Sequence, residues 1–154
     1  MTASYSLDGE WTLRGFPERS HTVDSPDMLD DLPVEPISAQ VPGNVELDLV
    51  RAGVIDYDPY VGDNILRLKE YEGWEWWYRR SFDGPTETGK RLTLRFDGLD
   101  CIADIWLNAM HLGRRENMLI PQEFDVTDII SRGGMNNLVV RLGSPIARAA
   151  EYDY

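Results

Sequence analysis

The stretch Arg91–Asn108, RLTLRFDGLDCIADIWLN, decides the fold class. From Arg91 to Phe96, the residues Leu92, Leu94 and Phe96 alternate with Arg91, Thr93 and Arg95, which gives an extended chain one apolar and one charged face. After a turn at Asp97-Gly98 the alternation resumes: Ala103, Ile105 and Leu107 oppose Asp104 and Trp106, so Trp106 is expected to face outward. Asn108-Ala109 then separates two strand-like runs. A two-residue hairpin favours Asn-Gly there, because alanine adopts positive φ at a cost, and this hairpin is expected to be looser than usual.

The same period of two recurs from Asn137 to Leu142, where Leu138, Val140 and Leu142 oppose Val139 and Arg141. Further strands are expected at Glu10 to Gly15, Ile37 to Val41, Trp76 to Phe82 and Gln122 to Val126. Only two segments read as helical. One is Asn44 to Ala52, with Asn44 as N-cap and Gly53 as C-cap, and the other is a turn at Thr127 to Ser131. Phe16 to Pro36, rich in Pro, Asp and Ser, is expected to be a long loop. Many short strands separated by Gly, Pro and Asp turns make an all-β, antiparallel sandwich, not a βαβ fold.

A chain of 154 residues fits one domain, and its 42% hydrophobic and 27% charged residues set it apart from disordered and fibrous classes. A formal net charge of -12 makes phosphate backbones and anionic lipid unfavourable partners, so neither nucleic acid nor a membrane surface is expected. The lone Cys101 excludes an internal disulfide and fits a reducing compartment. The opening MTASYSLDGEWTLRGF has neither the basic segment nor the apolar run of a signal peptide, and the expected location is cytoplasmic.

Several chemistries fail on residue type. A calcium loop starting at Asp56 would need an oxygen ligand at Tyr60, glycine at Val61 and glutamate at Arg67. His21 and His111 with one cysteine do not make a zinc set. Gly133-Gly134 lacks the Lys-Ser/Thr of a phosphate loop, and no Gly-x-Ser-x-Gly elbow occurs. No metal, no cofactor and no complete active site is expected. Carboxylates are plentiful, but a working acid and nucleophile must flank one bond at a fixed separation, and sequence alone places no two of them so.

Asp58 to Phe82, DPYVGDNILRLKEYEGWEWWYRRSF, crowds Trp74, Trp76, Trp77 and Tyr78 next to a Gly-Asp-Asn turn. Indole faces beside small polar groups suit a pyranose, which has an apolar C–H face and a rim of hydroxyls. The alternative is that these rings are core. Trp76, Tyr78 and Arg80 alternate with Trp77 and Arg79, so only one of the two aromatic sets is expected to face the core. Trp74, placed before the strand, is the candidate for an exposed sugar-stacking ring.

Seven motifs in order carry a family resemblance: Leu7-Asp8-Gly9-Glu10-Trp11; Val41-Pro42-Gly43-Asn44-Val45; Asp58-Pro59-Tyr60 leading to Gly62-Asp63-Asn64; Trp76-Trp77-Tyr78-Arg79-Arg80; Phe96-Asp97-Gly98-Leu99-Asp100; Ile105-Trp106-Leu107-Asn108; and Phe124-Asp125-Val126-Thr127-Asp128. Together they resemble the N-terminal sugar-binding domain of glycoside hydrolase family 2, in its β-mannosidase-like branch. The resemblance implies a jelly-roll β-sandwich of the galactose-binding-like kind, followed by immunoglobulin-like domains and a TIM barrel that holds both catalytic glutamates of a retaining enzyme. It therefore implies no catalytic residue in this chain. It implies instead that a loop reaches the barrel's mouth, where Asn64, and with it Asp63, helps to hold a sugar such as a terminal β-linked mannose. Two departures stand out: Ala109 replaces a usual glycine, and the chain reaches Tyr154 without the Gly-Trp-Asp-Trp-like segment that finishes the family's sandwich, which implies truncation and an uncovered sheet edge. Two functions follow as alternatives, an accessory domain of a glycosidase and a free-standing carbohydrate-binding module, with a purely structural docking sandwich as a third.

Overall fold

The computed structural model describes residues 3–150. Its strands are β1 (Gly9–Pro17), β2 (Ile37–Val41), β3 (Trp74–Asp83), β4 (Thr93–Phe96), β5 (Ile102–Leu107), β6 (Met110–Arg115), β7 (Gln122–Asp125) and β8 (Met135–Gly143). Six of them form one antiparallel sheet in the order β2-β1-β3-β8-β5-β6, and β4 pairs with β7 in a second. The two sheets close on a core of Leu13, Tyr78, Ile105 and Leu138 from the larger and Leu94 and Phe124 from the smaller. This is the antiparallel sandwich that the alternation predicts, and each expected strand forms within three residues of its expected bounds.

The larger sheet is buried on both faces. On the side away from β4 and β7, Trp77, Trp106 and Val139 pack with Phe16 and Leu29 in a second apolar cluster. Trp106 is thus corrected: its side chain does leave the main core, as alternation requires, but it is only 8% exposed. The cover comes from the segment expected to be a plain loop. Residues 18–36 fold back over the sheet and contain a 3₁₀ helix, Pro26–Asp31, which seats Leu29 at 1% exposure. Arg79 grips both oxygens of Asp30 at 2.8 and 2.9 Å, and Arg14 reaches the same carboxylate at 3.3 Å. The expectation that only one aromatic set of β3 finds a core also fails, since Tyr78 enters one cluster and Trp77 the other.

The Asn108-Ala109 hairpin is tight, not loose. Asn108 and Ala109 take φ of 51° and 66°, and Leu107 pairs directly with Met110 across the turn. Asn108 supplies the missing preference: its amide nitrogen donates to Ile129 O and Asn136 Oδ1, and its Oδ1 accepts from Asn137 N at 2.9 Å. Those bonds hold the turn in the left-handed region that alanine alone disfavours.

Helix α1 (Val45–Arg51) begins as expected, with Asn44 accepting from Leu47 N at 3.0 Å. At its other end Ala52 is the cap, and Gly53 follows it at φ 72°. Asp48, 1% exposed, accepts from Gln40 N at 3.0 Å and so ties α1 to the outer edge of β2. The expected turn at Thr127 to Ser131 closes with Ile129 N and Ile130 N both bonded to Val126 O, and the helical segments beyond the two expected are, besides Pro26–Asp31, the 3₁₀ helix Asn64–Tyr71 and α2 (Pro145–Ala149). The latter has a readable start, Ser144 as N-cap and Pro145 at the first helical position. The expected departure from the family near Tyr154 lies outside the described residues.

Candidate functional site

The segment 56–67, which carries two of the sequence-predicted site residues, follows buried Ile55 and runs into the 3₁₀ helix Asn64–Tyr71. Asp58 Oδ1 accepts from Tyr60 N at 2.9 Å and its carbonyl accepts from Val61 N at 3.3 Å, so an aspartate turn starts the loop. Gly62 follows at φ 56°. Asn64 then donates its amide to Asp58 O at 2.9 Å, which draws the end of the turn back onto its beginning. Asp63 is exposed and makes no side-chain cap bond to the helix it precedes. Asn64 is half-buried.

The third candidate, Trp74, lies elsewhere. It is the first residue of β3, not a residue before it, and it is half-buried where exposure was expected. Trp74 stacks on Trp76 at 5.5 Å between ring centroids, and Tyr71 meets Trp74 edge-on at 5.0 Å. These three rings wall a cleft of about 820 Å³ that runs beneath the end of β4. Leu99, Met118 and Leu142 add apolar surface to it, and Glu72, Asp100 and Ser144 add polar groups. Asp63 and Asn64 do not line it, although their neighbour Ile65 does. The structure thus separates the indole from the carboxamide: one belongs to a cleft and the other to the loop at its rim.

Burial raises the phenols near the cleft. Tyr71 is pushed up by desolvation, with Glu70 and Tyr57 adding to it, and Tyr78 is pushed up further by burial, with Asp48 and Glu46 adding to it. Both phenols therefore stay protonated near neutral pH. Tyr71 escaped the sequence reading because Asn64–Tyr71 has no clean helical stripe to reveal that its last residue turns back onto β3.

A charged cluster occupies the opposite face of the large sheet. Arg141 contacts Glu75 at 2.7 Å, Asp104 at 3.4 Å and Glu18 at 3.5 Å, while Glu75 also accepts from Trp77 Nε1 at 2.8 Å. Asp104 meets His111 at 3.2 Å. Among the described residues no three His, Cys, Asp or Glu side chains converge as a metal site, and no helix is long and apolar enough to cross a membrane.

The chain is thus an antiparallel sandwich with an aromatic cleft and a loop of mixed apolar and polar residues at its rim. Residues 11–153 match the family described as the glycosyl hydrolase 2 galactose-binding domain-like family, and the chain belongs to it. A β-mannosidase B from Thermothelomyces thermophilus is 34% identical over 94% of this chain, and a β-mannosidase from Rattus norvegicus is 31% identical over 95%. The chain spans about 15% of the length of each of these relatives. A solved β-D-mannosidase structure from Dictyoglomus thermophilum superposes with a TM-score of 0.76 at 35% identity, covering 96% of this chain and 17% of that one. A Ruminococcus gnavus β-glucuronidase, at 24% identity and a TM-score of 0.63, shares the fold.

Proposed function

We propose that this chain is the non-catalytic N-terminal domain of a β-mannosidase-like retaining glycosidase, which packs on the catalytic barrel and contributes its 58–66 loop to the sugar subsite. The observation that carries this reading is the surface of that loop. Tyr60, Val61, Ile65 and Leu66 are 67%, 60%, 51% and 57% exposed, a run of apolar side chains on a strongly acidic chain, beside the polar Asp63 and Asn64. Clustered exposed apolar groups rimmed by polar ones mark an interaction surface. The apolar run suits a neighbouring domain, and the carboxylate and carboxamide suit sugar hydroxyls.

The small sheet supports the same reading. It opposes six strands with two, and the end of β4 borders the 820 Å³ cleft, so further chain of a longer protein is proposed to pack there. The stacked Trp74 and Trp76 favour a second reading, in which the cleft itself takes a sugar and the chain is a carbohydrate-binding module. Calorimetric titration of the 154-residue chain with mannose and manno-oligosaccharides separates the two. Binding by the isolated chain, abolished by Trp74→Ala, selects the module. Silence there, no turnover of a chromogenic β-mannoside by the isolated chain, and a raised KM for Asn64→Ala in the full-length protein select the accessory domain.

A further inference from the structure

The 58–66 loop projects apolar side chains into solvent, so burial of its own tip does not hold its shape. Its base is anchored on one arm by buried Ile55 and Pro59 and on the other by half-buried Leu68 and Tyr71. Between these arms the guanidinium carbon of Arg67 lies 3.5 Å from the centroid of the Tyr57 ring, while Arg67 Nη2 sits 3.8 Å from Asp56 Oδ1. A cation over an aromatic face is an attractive contact that survives partial exposure, and a planar guanidinium makes it in a way that an ammonium does not. Among the described residues the buried Tyr57 hydroxyl has no hydrogen-bond partner, and it is the ring face that meets Arg67.

We propose that Arg67, stacked on Tyr57, is the positioning residue that closes the base of the 58–66 loop and fixes Asp63 and Asn64 for contact with a sugar. The inference rests on the accessory-domain reading given above and adds to it the residue that sets the loop's geometry. Inside the closed base, the Asn64 amide bond to Asp58 O, the Asn64 N bond to Val61 O at 3.2 Å and the Leu66 N bond to Asp63 O at 3.0 Å add to the aspartate turn. Without the stack, Arg67 keeps only the long contact to Asp56, whose side chain is 90% exposed and screened by solvent.

Amide hydrogen exchange of the chain and steady-state kinetics of the full-length protein on a chromogenic β-mannoside test this together. Arg67→Ala is expected to speed exchange across 60–64 by roughly fivefold without changing the global unfolding midpoint. In the full-length protein it should raise KM about three- to tenfold with kcat nearly unchanged. Tyr57→Phe, which keeps the ring and removes the unpartnered hydroxyl, should behave as the parent chain, and Tyr57→Leu should copy Arg67→Ala. Arg67→Lys should recover part of the exchange protection. Unchanged exchange in Arg67→Ala would overturn the proposal, as would a Tyr57→Phe variant as loose as Tyr57→Leu. Asn64→Ala locates a failure: an altered KM there with none in Arg67→Ala overturns the clamp alone, whereas no effect in either overturns the sugar-contact reading beneath it.

Discussion

Trp77 and Trp106 lie face to face on the outer side of the large sheet, with ring centroids 5.3 Å apart and planes 26° from parallel. They come from strands that are not neighbours, and β8 runs between them carrying Val139. The stack therefore bridges the sheet from outside, under the cover of Leu29.

If this layer is a true second core, Trp106→Ala should destabilise the chain by about 3–5 kcal/mol, the usual cost of truncating a buried large aromatic. Urea unfolding followed by circular dichroism measures it. A loss under roughly 1 kcal/mol, typical of surface substitutions, would show that the 18–36 segment contributes no core.

Arg141 and Glu75 form a pair in which Glu75 is 4% exposed. Replacing Arg141 by Met leaves a buried carboxylate unpaired, and a loss of about 3–5 kcal/mol is expected. Adding Glu75→Gln to that variant should restore a substantial part of it, because the orphaned charge is then gone. Thermal melts of the single and double variants at one pH decide the matter; a double variant no better than the single would mean that charge burial is not the cause.

Asp48 should shape the pH dependence of stability. Its carboxyl is pushed up by desolvation, only partly offset by the Gln40 N–H and Arg51, while Glu46 adds to the rise. A raised folded-state value means that the folded chain binds this proton more tightly than the unfolded chain does. The resulting stabilisation is fully present below the unfolded aspartate value, about 4, and is lost as pH rises through the raised one. Chemical denaturation across this range should show that contribution in the parent chain, and Asp48→Asn should remove it. Asp30 works in the opposite sense. The Arg79 guanidinium lowers its carboxyl, so stability from that pair is present above the unfolded value and is lost as pH falls through the folded one.

At the β5–β6 hairpin, Ala109→Gly should be neutral to stabilising by up to about 1 kcal/mol, since glycine accepts a φ of 66° without strain. Asn108→Ala should cost about 2 kcal/mol or more, because it strips Asn137 N of its acceptor and leaves Asn136 Oδ1 one donor short. Paired melts should therefore place Ala109→Gly at or above the parent chain and Asn108→Ala below it.

The strands were legible because both cores recruit residues at a period of two: Leu92 to Phe96 and Leu138 to Leu142 read correctly from alternation alone. Trp106 did not, for a physical reason. Alternation says which residues share a face, but not whether something covers that face, and the cover here is a segment whose Pro, Asp and Ser content reads as loop. Its seat depends on Leu29 and on Asp30 meeting Arg79, contacts between residues far apart in the chain. At the candidate site, the Gly62-Asp63-Asn64 turn was visible, and the Asp58 side-chain turn and the Arg67 to Tyr57 stack were not, the latter because ten-residue spacing has no periodic signature. Trp74 looked exposed because nothing in Glu72-Gly73 announces that the strand has already begun.

A strand with large rings on both sides fits only where the neighbouring strands leave room for them, and sliding β3 would carry Glu75 or Arg79 into a ring's place. In β3 the choice falls to Gly15, which sits directly across from Trp76 in β1. A methyl group at Gly15 would come within 2.0 Å of the Trp76 ring, so the indole lies across the gap that glycine leaves. The absence of one side chain acts as a keyway and Trp76 as its key: the alignment of the aromatic cleft with the loop at its rim is set by an atom that is not there.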